Sequence, residues 1–161
     1  MTIEITNIAP AFIESVEEIF ETMVFMPIEA APPLEELHGS PRGSIAGTLS
    51  ITGEDLTINI SLVFGTELAF SVFKAMMGME EDDEEEICME EVSDIVGELC
   101  NMTSGGAKTR LQDEHPHLQL GLPSVVVGQE LYIEPPKNTQ TLIIPLKAEK
   151  GEFFLEISLS G

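Results

Sequence analysis

The chain has 161 residues, 43% of them hydrophobic, which fits a single globular domain (1–161) able to bury a core without a disulfide or metal staple. Its 29 acidic residues against 7 basic give a net charge of −22, which excludes nucleic acid and anionic membrane surfaces as partners, because both are held by clustered Lys and Arg. The two cysteines, Cys88 and Cys100, fall about 18 Å apart in one predicted helix, too far to bridge, and with no signal segment or apolar run of transmembrane length the chain reads as cytoplasmic.

Ile3 and Ile5 alternate over Thr2 to Thr6 and predict a short strand. Pro10 then suits a first helical turn. Phe12, Val16, Ile19, Phe20, Met23 and Val24 recur at helical spacing, mostly opposite Glu14, Glu17, Glu18 and Glu21, and predict an amphipathic helix of about four turns. Residues 27–42 hold Pro27, Pro32, Pro33 and Pro41 and predict a loop. Ile45, Leu49 and Ile51 face one way. Leu56, Ile58, Ile60, Leu62 and Phe64 alternate with Thr57, Asn59 and Ser61, so the turn residues Gly53-Glu54-Asp55 join a hairpin with one buried face. Glu67 to Met77 predicts a short helix ending at Gly78. The acidic run Glu80 to Glu86 reads as a solvated linker whose last charges favour the next helix's N-terminus; it lacks the spaced ligands and turn glycine of a calcium loop. A long helix follows over Ile87 to Leu111. Three β-rich runs close the chain, Ser124 to Ile133, Thr141 to Leu146 and Glu152 to Leu159, with Pro145 predicting an edge strand or a bulge. The order predicts an α+β fold, helices packed on a mainly antiparallel sheet.

The long helix carries the chemistry. At about 100° per residue, with Asp94 at zero, Glu98 falls near 40° and Asn101 near 340°, whereas Val92, Ile95, Leu99 and Met102 fall between about 80° and 160°. Asp94, Glu98 and Asn101 therefore share one wet face over two turns, about 10 Å. Gly105 lies on that face near 20°, and Gly97 flanks it near 300°. Each interior glycine weakens a helix by roughly 0.5–1 kcal/mol relative to Ala. That makes sense where something approaches the backbone closely, or else marks a kink at Gly105-Gly106. Glu and Asn on an exposed face are ordinarily just solvated, and the Asp-Glu pair lacks the second carboxylate or His, in a concave cavity, that a glycosidase or metal site needs.

The segment Ser93-Asp94-Ile95-Val96-Gly97-Glu98-Leu99-Cys100-Asn101-Met102-Thr103-Ser104-Gly105-Gly106-Ala107-Lys108 resembles the signature helix of the CheC/CheX/FliY chemotaxis phosphatases: Asp or Ser, three residues, Glu, two residues, Asn. Pro123 in Gly121-Leu122-Pro123-Ser124 matches the family's later proline, one residue short in spacing. The first helix carries no second Glu-x-x-Asn, which is the CheX arrangement. The resemblance spans the chain and implies a phosphatase of the aspartyl phosphate on a CheY-type response regulator. It implies Asn101 as the residue that positions the attacking water and Glu98 as the one that docks on the receiver's lysine. Asp94, Gly97 and Gly105 become partner contacts. The only metal expected is magnesium on the receiver. The resemblance also implies a homodimer made by exchange of late strands. An acyl phosphate is already activated, so placing a water in line accounts for most of the chemistry, and an asparagine amide can both donate to and accept from that water.

Other features stay in the background. His115-Pro116-His117 reads as a loop with no third ligand nearby, and Lys108 and Arg110 as helix C-terminal charges. Two further readings remain: a non-catalytic module that docks a receiver or chemotaxis partner, and a flagellar-switch or scaffold component.

Overall fold

The computed structural model describes residues 3–34, 42–83 and 86–161. Helix α1 spans Ile5–Ile19 and passes into a π-helical turn, Phe20–Val24. The strand expected over Thr2 to Thr6 does not form: Thr2 lies outside the described residues, and the helix has begun by Ile5. The cause is far away in sequence. The Gln140 side chain accepts from the Ile5 N–H (2.9 Å) and donates to the Ile3 carbonyl (2.7 Å), closing a helix start that has no side-chain cap of its own. Ile5, Ile8, Ala9, Phe12 and Val16 then make one buried stripe. Pro10 sits inside the helix rather than in its first turn. The amide it lacks would have met the carbonyl of Thr6, an exposed residue whose carbonyl water can satisfy.

The predicted loop over 27–42 contains a short strand, β1 (Ile28–Ala30); residues 35–41, Pro41 among them, lie outside the described residues. Strands β2 (Gly43–Thr52) and β3 (Thr57–Phe64) form the expected hairpin, paired from Thr52↔Thr57 to Ile45↔Phe64, with the Gly53 N–H donating to the Leu56 carbonyl across the turn (2.8 Å). Helix α2 (Thr66–Met76) stops where expected. Gly78 takes φ 70°, and the Met79 N–H folds back onto the Lys74 carbonyl (2.8 Å), a Schellman-type end. Of the acidic run, Glu84 and Glu85 lie outside the described residues. Glu81 is tied to α2: Ser71 donates to its carboxylate (2.7 Å) and Lys74 to its carbonyl (2.8 Å). Helix α3 spans Met89–Leu111, with Glu90 and Glu91 in its first turn, where the helix dipole favours acid. Strands β4 (Gln119–Leu120), β5 (Ser124–Leu131), β6 (Gln140–Ala148) and β7 (Gly151–Ser160) follow.

The strands make one antiparallel sheet in the order β1-β6-β7-β3-β2-β4, with β5 on the same side of β2 as β4. The three helices pack on one face, the α+β arrangement the pattern predicts. The inward row of β3 (Ile58, Ile60, Leu62, Phe64) and that of β7 (Phe153, Leu155, Ile157, Leu159) meet α1, α2 and α3 in a single core, in which Phe153 stacks on Phe20 (4.9 Å) and Phe64 (4.5 Å). Pro145 needs no bulge, and it falls where β6 becomes the outer strand of the sheet, as an edge position requires. Strand β6 lies between β7 and β1, and the Pro145 carbonyl accepts from Ala31. The N and C=O of one strand residue point the same way, so the missing N–H falls on the side where β1 has just ended, opposite Leu146.

The link 132–139 carries the chain from β5, beside β2, to β6 on the far side of β3 and β7. It crosses the helix-free face. There Arg42 donates to the Ile133 carbonyl, lies over the Tyr132 ring, and pairs with Glu156 at 3.1 Å, both side chains 6% exposed. Burial pushes the Glu156 carboxyl above the usual carboxylate range, and Arg42 opposes that push.

Candidate functional site

Helix α3 lies close on β2 because β2 has no side chain at Gly47. A Cβ there would stand 3.0 Å from both the Cys100 Cβ and the Val96 carbonyl oxygen. The sequence pattern contains this signal, since Gly47 is the gap in the inward row Ile45, Leu49, Ile51, but it is legible only once the crossing helix is known. Val92, Val96, Leu99, Cys100, Thr103, Ser104 and Ala107 of α3 are buried while Ile95 and Met102 of the predicted stripe are only half-buried, so the buried face is displaced from the one read from the apolar residues alone, toward β2, β4 and β5. Burial pushes the Cys100 thiol up to about 12, so it is a protonated core group rather than a nucleophile.

On the opposite side Asp94 and Glu98 are exposed and Asn101 is half-buried. They climb one face over about 10 Å, with Glu98 and Asn101 separated by a rise of about 4.5 Å. Two walls flank them. On one side α1 reaches α3 at Gly106: the Ser15 hydroxyl donates to the Thr103 carbonyl (2.8 Å), and Arg110 pairs with Glu18 (2.5 Å) and Glu14 (3.8 Å). On the other side β4 and β5 run past. A Cβ on Gly97 would meet Val125 Cγ2 at 3.1 Å, and one on Gly105 would meet only Leu120 Cδ1 at 3.9 Å.

The three helix glycines therefore divide. Gly97, expected to touch a partner, is buried, and the close neighbour its missing side chain admits is this chain's own β5. Gly106 likewise admits α1. Gly105 alone is half-exposed on the motif face with room above it. Helix α3 continues through Gly105-Gly106 to Leu111, so the pair does not end the helix. Arg110 is engaged within the fold. His117 lies 3.9 Å from Glu54 beside a cavity of about 170 Å³ at the hairpin turn, away from the motif face. Among the described residues no three His, Cys, Asp or Glu side chains gather as a metal-binding group, and no helix is long and apolar enough to cross a membrane.

Comparison with known proteins places this architecture. The family model described as chemotaxis phosphatase CheX matches residues 45–147. A curated relative, the CheY-P phosphatase CheX of Thermotoga maritima, is 32% identical over 131 residues, covering 80% of each chain. The crystal structure of the chemotaxis protein CheX from Vibrio vulnificus superposes with a TM-score of 0.86 at 26% identity, covering 96% of this chain and 99% of that one. The CheX of a CheX–CheY–BeF3–Mg complex from Borrelia burgdorferi shares the fold, with a TM-score of 0.77 at 19% identity over 95% of this chain and 97% of that one.

Proposed function

This chain belongs to the CheX family of chemotaxis phosphatases, and we propose that it hydrolyses the aspartyl phosphate of a CheY-type response regulator in the cytoplasm. The observation that carries the reading is the row Asp94, Glu98, Asn101 on the side of α3 that this chain leaves uncovered. The name of the Thermotoga relative supports the substrate class.

A phosphoaspartate brings its own activation, and the receiver brings the magnesium and lysine that neutralise phosphoryl oxygens. This chain then has to place a water in line with the phosphorus–oxygen bond. Asn101 does so through its amide, which can donate and accept at once. Glu98, one turn earlier, pairs with the receiver's lysine and sets the register of docking. Asp94 is a peripheral contact one turn further out. Gly105 keeps the face flat beyond Asn101, so the receiver can approach the helix backbone there. Gly97 contributes indirectly, by seating β5 beneath the motif.

The protein acts as a homodimer in this reading. Among the described residues β5 pairs with β2 alone, and Val126 and Val127, one on each face of it, are 49% and 48% exposed, apolar surface at the side of the sheet that a second copy would cover. Val126→Lys should sediment closer to monomer than wild type does, and a wild type that is monomeric at all concentrations refutes the dimer.

The activity is tested by following loss of phosphoryl label from phosphorylated CheY-type receivers of the same cell. Wild type should accelerate decay. Asn101→Ala should lose on the order of 10²-fold in rate while folding normally. No acceleration with any receiver would overturn the reading.

A further inference from the structure

The motif row does not begin at Asp94. Glu91 lies three residues earlier on the same exposed face, near 60° on the helical wheel. It also forms one wall of a groove between the end of α2 and the start of α3. That groove is a cavity of about 300 Å³ lined by Phe73, Met77, Met79, Ile87, Glu86 and Glu91. Met77 is 51% exposed, the most exposed methionine among the described residues. The Gly78 turn and the Met79 N–H to Lys74 carbonyl bond set the backbone of both methionines at the groove.

The lining has a definite chemistry. Four residues are apolar, two are carboxylates, and none is basic. The nearest cation of α2, Lys74, is turned to the Glu81 carbonyl. Thioether side chains suit an apolar guest of imprecise shape. The two carboxylates favour a positive charge beside that guest, in a chain whose net charge already attracts cations.

We propose that this groove is a second docking point for the phosphorylated receiver, taking an apolar receiver side chain flanked by Lys or Arg. The inference rests on the phosphatase reading above, because the groove and Asn101 share one helix face. Glu91 and Asn101 are ten residues apart on α3, about 15 Å. The receiver must therefore carry its apolar–basic pair about 15 Å from its phosphoaspartate, well within one domain face. The groove fixes where the receiver sits; Asn101 acts on the water.

Binding and turnover are measured separately, with beryllofluoride-activated receiver for the dissociation constant by calorimetry and phosphorylated receiver for kinetics. Met77→Asp, at a site that is half exposed and so tolerant of change, should raise Kd and KM about tenfold and leave kcat unchanged. Glu91→Lys should weaken binding similarly and flatten its dependence on salt. Asn101→Ala should do the reverse, lowering kcat and keeping Kd. If both groove variants bind like wild type while wild type turns over, the docking point is overturned and the phosphatase reading stands. If wild type neither binds nor dephosphorylates receivers, the phosphatase reading falls and takes the groove with it.

Discussion

Gly105 and Gly106 are neighbours in one helix, yet an added methyl group should act on them with opposite sign. At Gly106 a Cβ would collide with the Ser15 hydroxyl oxygen, with Ser15 Cβ and Arg110 Nη1 each at 3.2 Å. Separating α1 from α3 to make room carries an overpacking penalty of about 1–3 kcal/mol. It also breaks the Ser15 bond to the Thr103 carbonyl, about 1 kcal/mol more. Alanine's better helix propensity returns about 1 kcal/mol. Gly106→Ala should therefore be less stable by about 2 kcal/mol, about 4–8 °C in Tm for a chain of this size. At Gly105 the nearest atom is Leu120 Cδ1 at 3.9 Å, ordinary contact, so only the propensity gain remains and Gly105→Ala should be stabilised by about 0.5–1 kcal/mol. Urea unfolding followed by circular dichroism measures both. Ser15→Ala in the Gly106→Ala background removes the colliding oxygen and should recover most of the loss. A Gly106→Ala protein as stable as wild type, or one that Ser15→Ala fails to rescue, would refute the reasoning. Gly105→Ala carries a second consequence: if the receiver approaches the backbone there, the stabilised variant should show a raised KM.

Arg42→Met leaves Glu156 buried and uncompensated, which should lower stability by about 3–5 kcal/mol at neutral pH. Glu156 already has a raised folded pKa, and losing Arg42 raises it further, so the folded state holds its proton more tightly than the unfolded chain does. That stabilising contribution is complete below the unfolded value and lost as pH rises through the folded one, so the deficit of Arg42→Met should shrink on acidification, as urea midpoints at neutral and mildly acid pH will show. Cys88 is exposed and Cys100 is fully buried with its thiol near 12. A thiol reagent at mildly alkaline pH should label one cysteine per native chain and both after unfolding.

The elements legible in the sequence are those whose signal is local. The hairpin follows from alternation in β2 and β3 with a glycine turn between them. The motif face follows from the 3.6-residue period, which puts Asp94, Glu98 and Asn101 together whatever lies beneath them. The end of α2 follows from a glycine able to take a positive φ. In each case the residues that decide the geometry are within a turn or two of those they act on.

What the sequence alone determined is thus the α+β class, the long helix and the polar row that faces outward. Tertiary structure decided the rest, because capping and close approach depend on groups that meet only after folding. Ile5 could end a strand or start a helix, and the Gln140 amide, 135 residues on, selected the helix. Gly97, Gly105 and Gly106 look alike in the chain, and only the positions of β5 and α1 give two of them to packing and leave open space above the third. The groove at Met77 arises the same way, from where the ends of α2 and α3 meet.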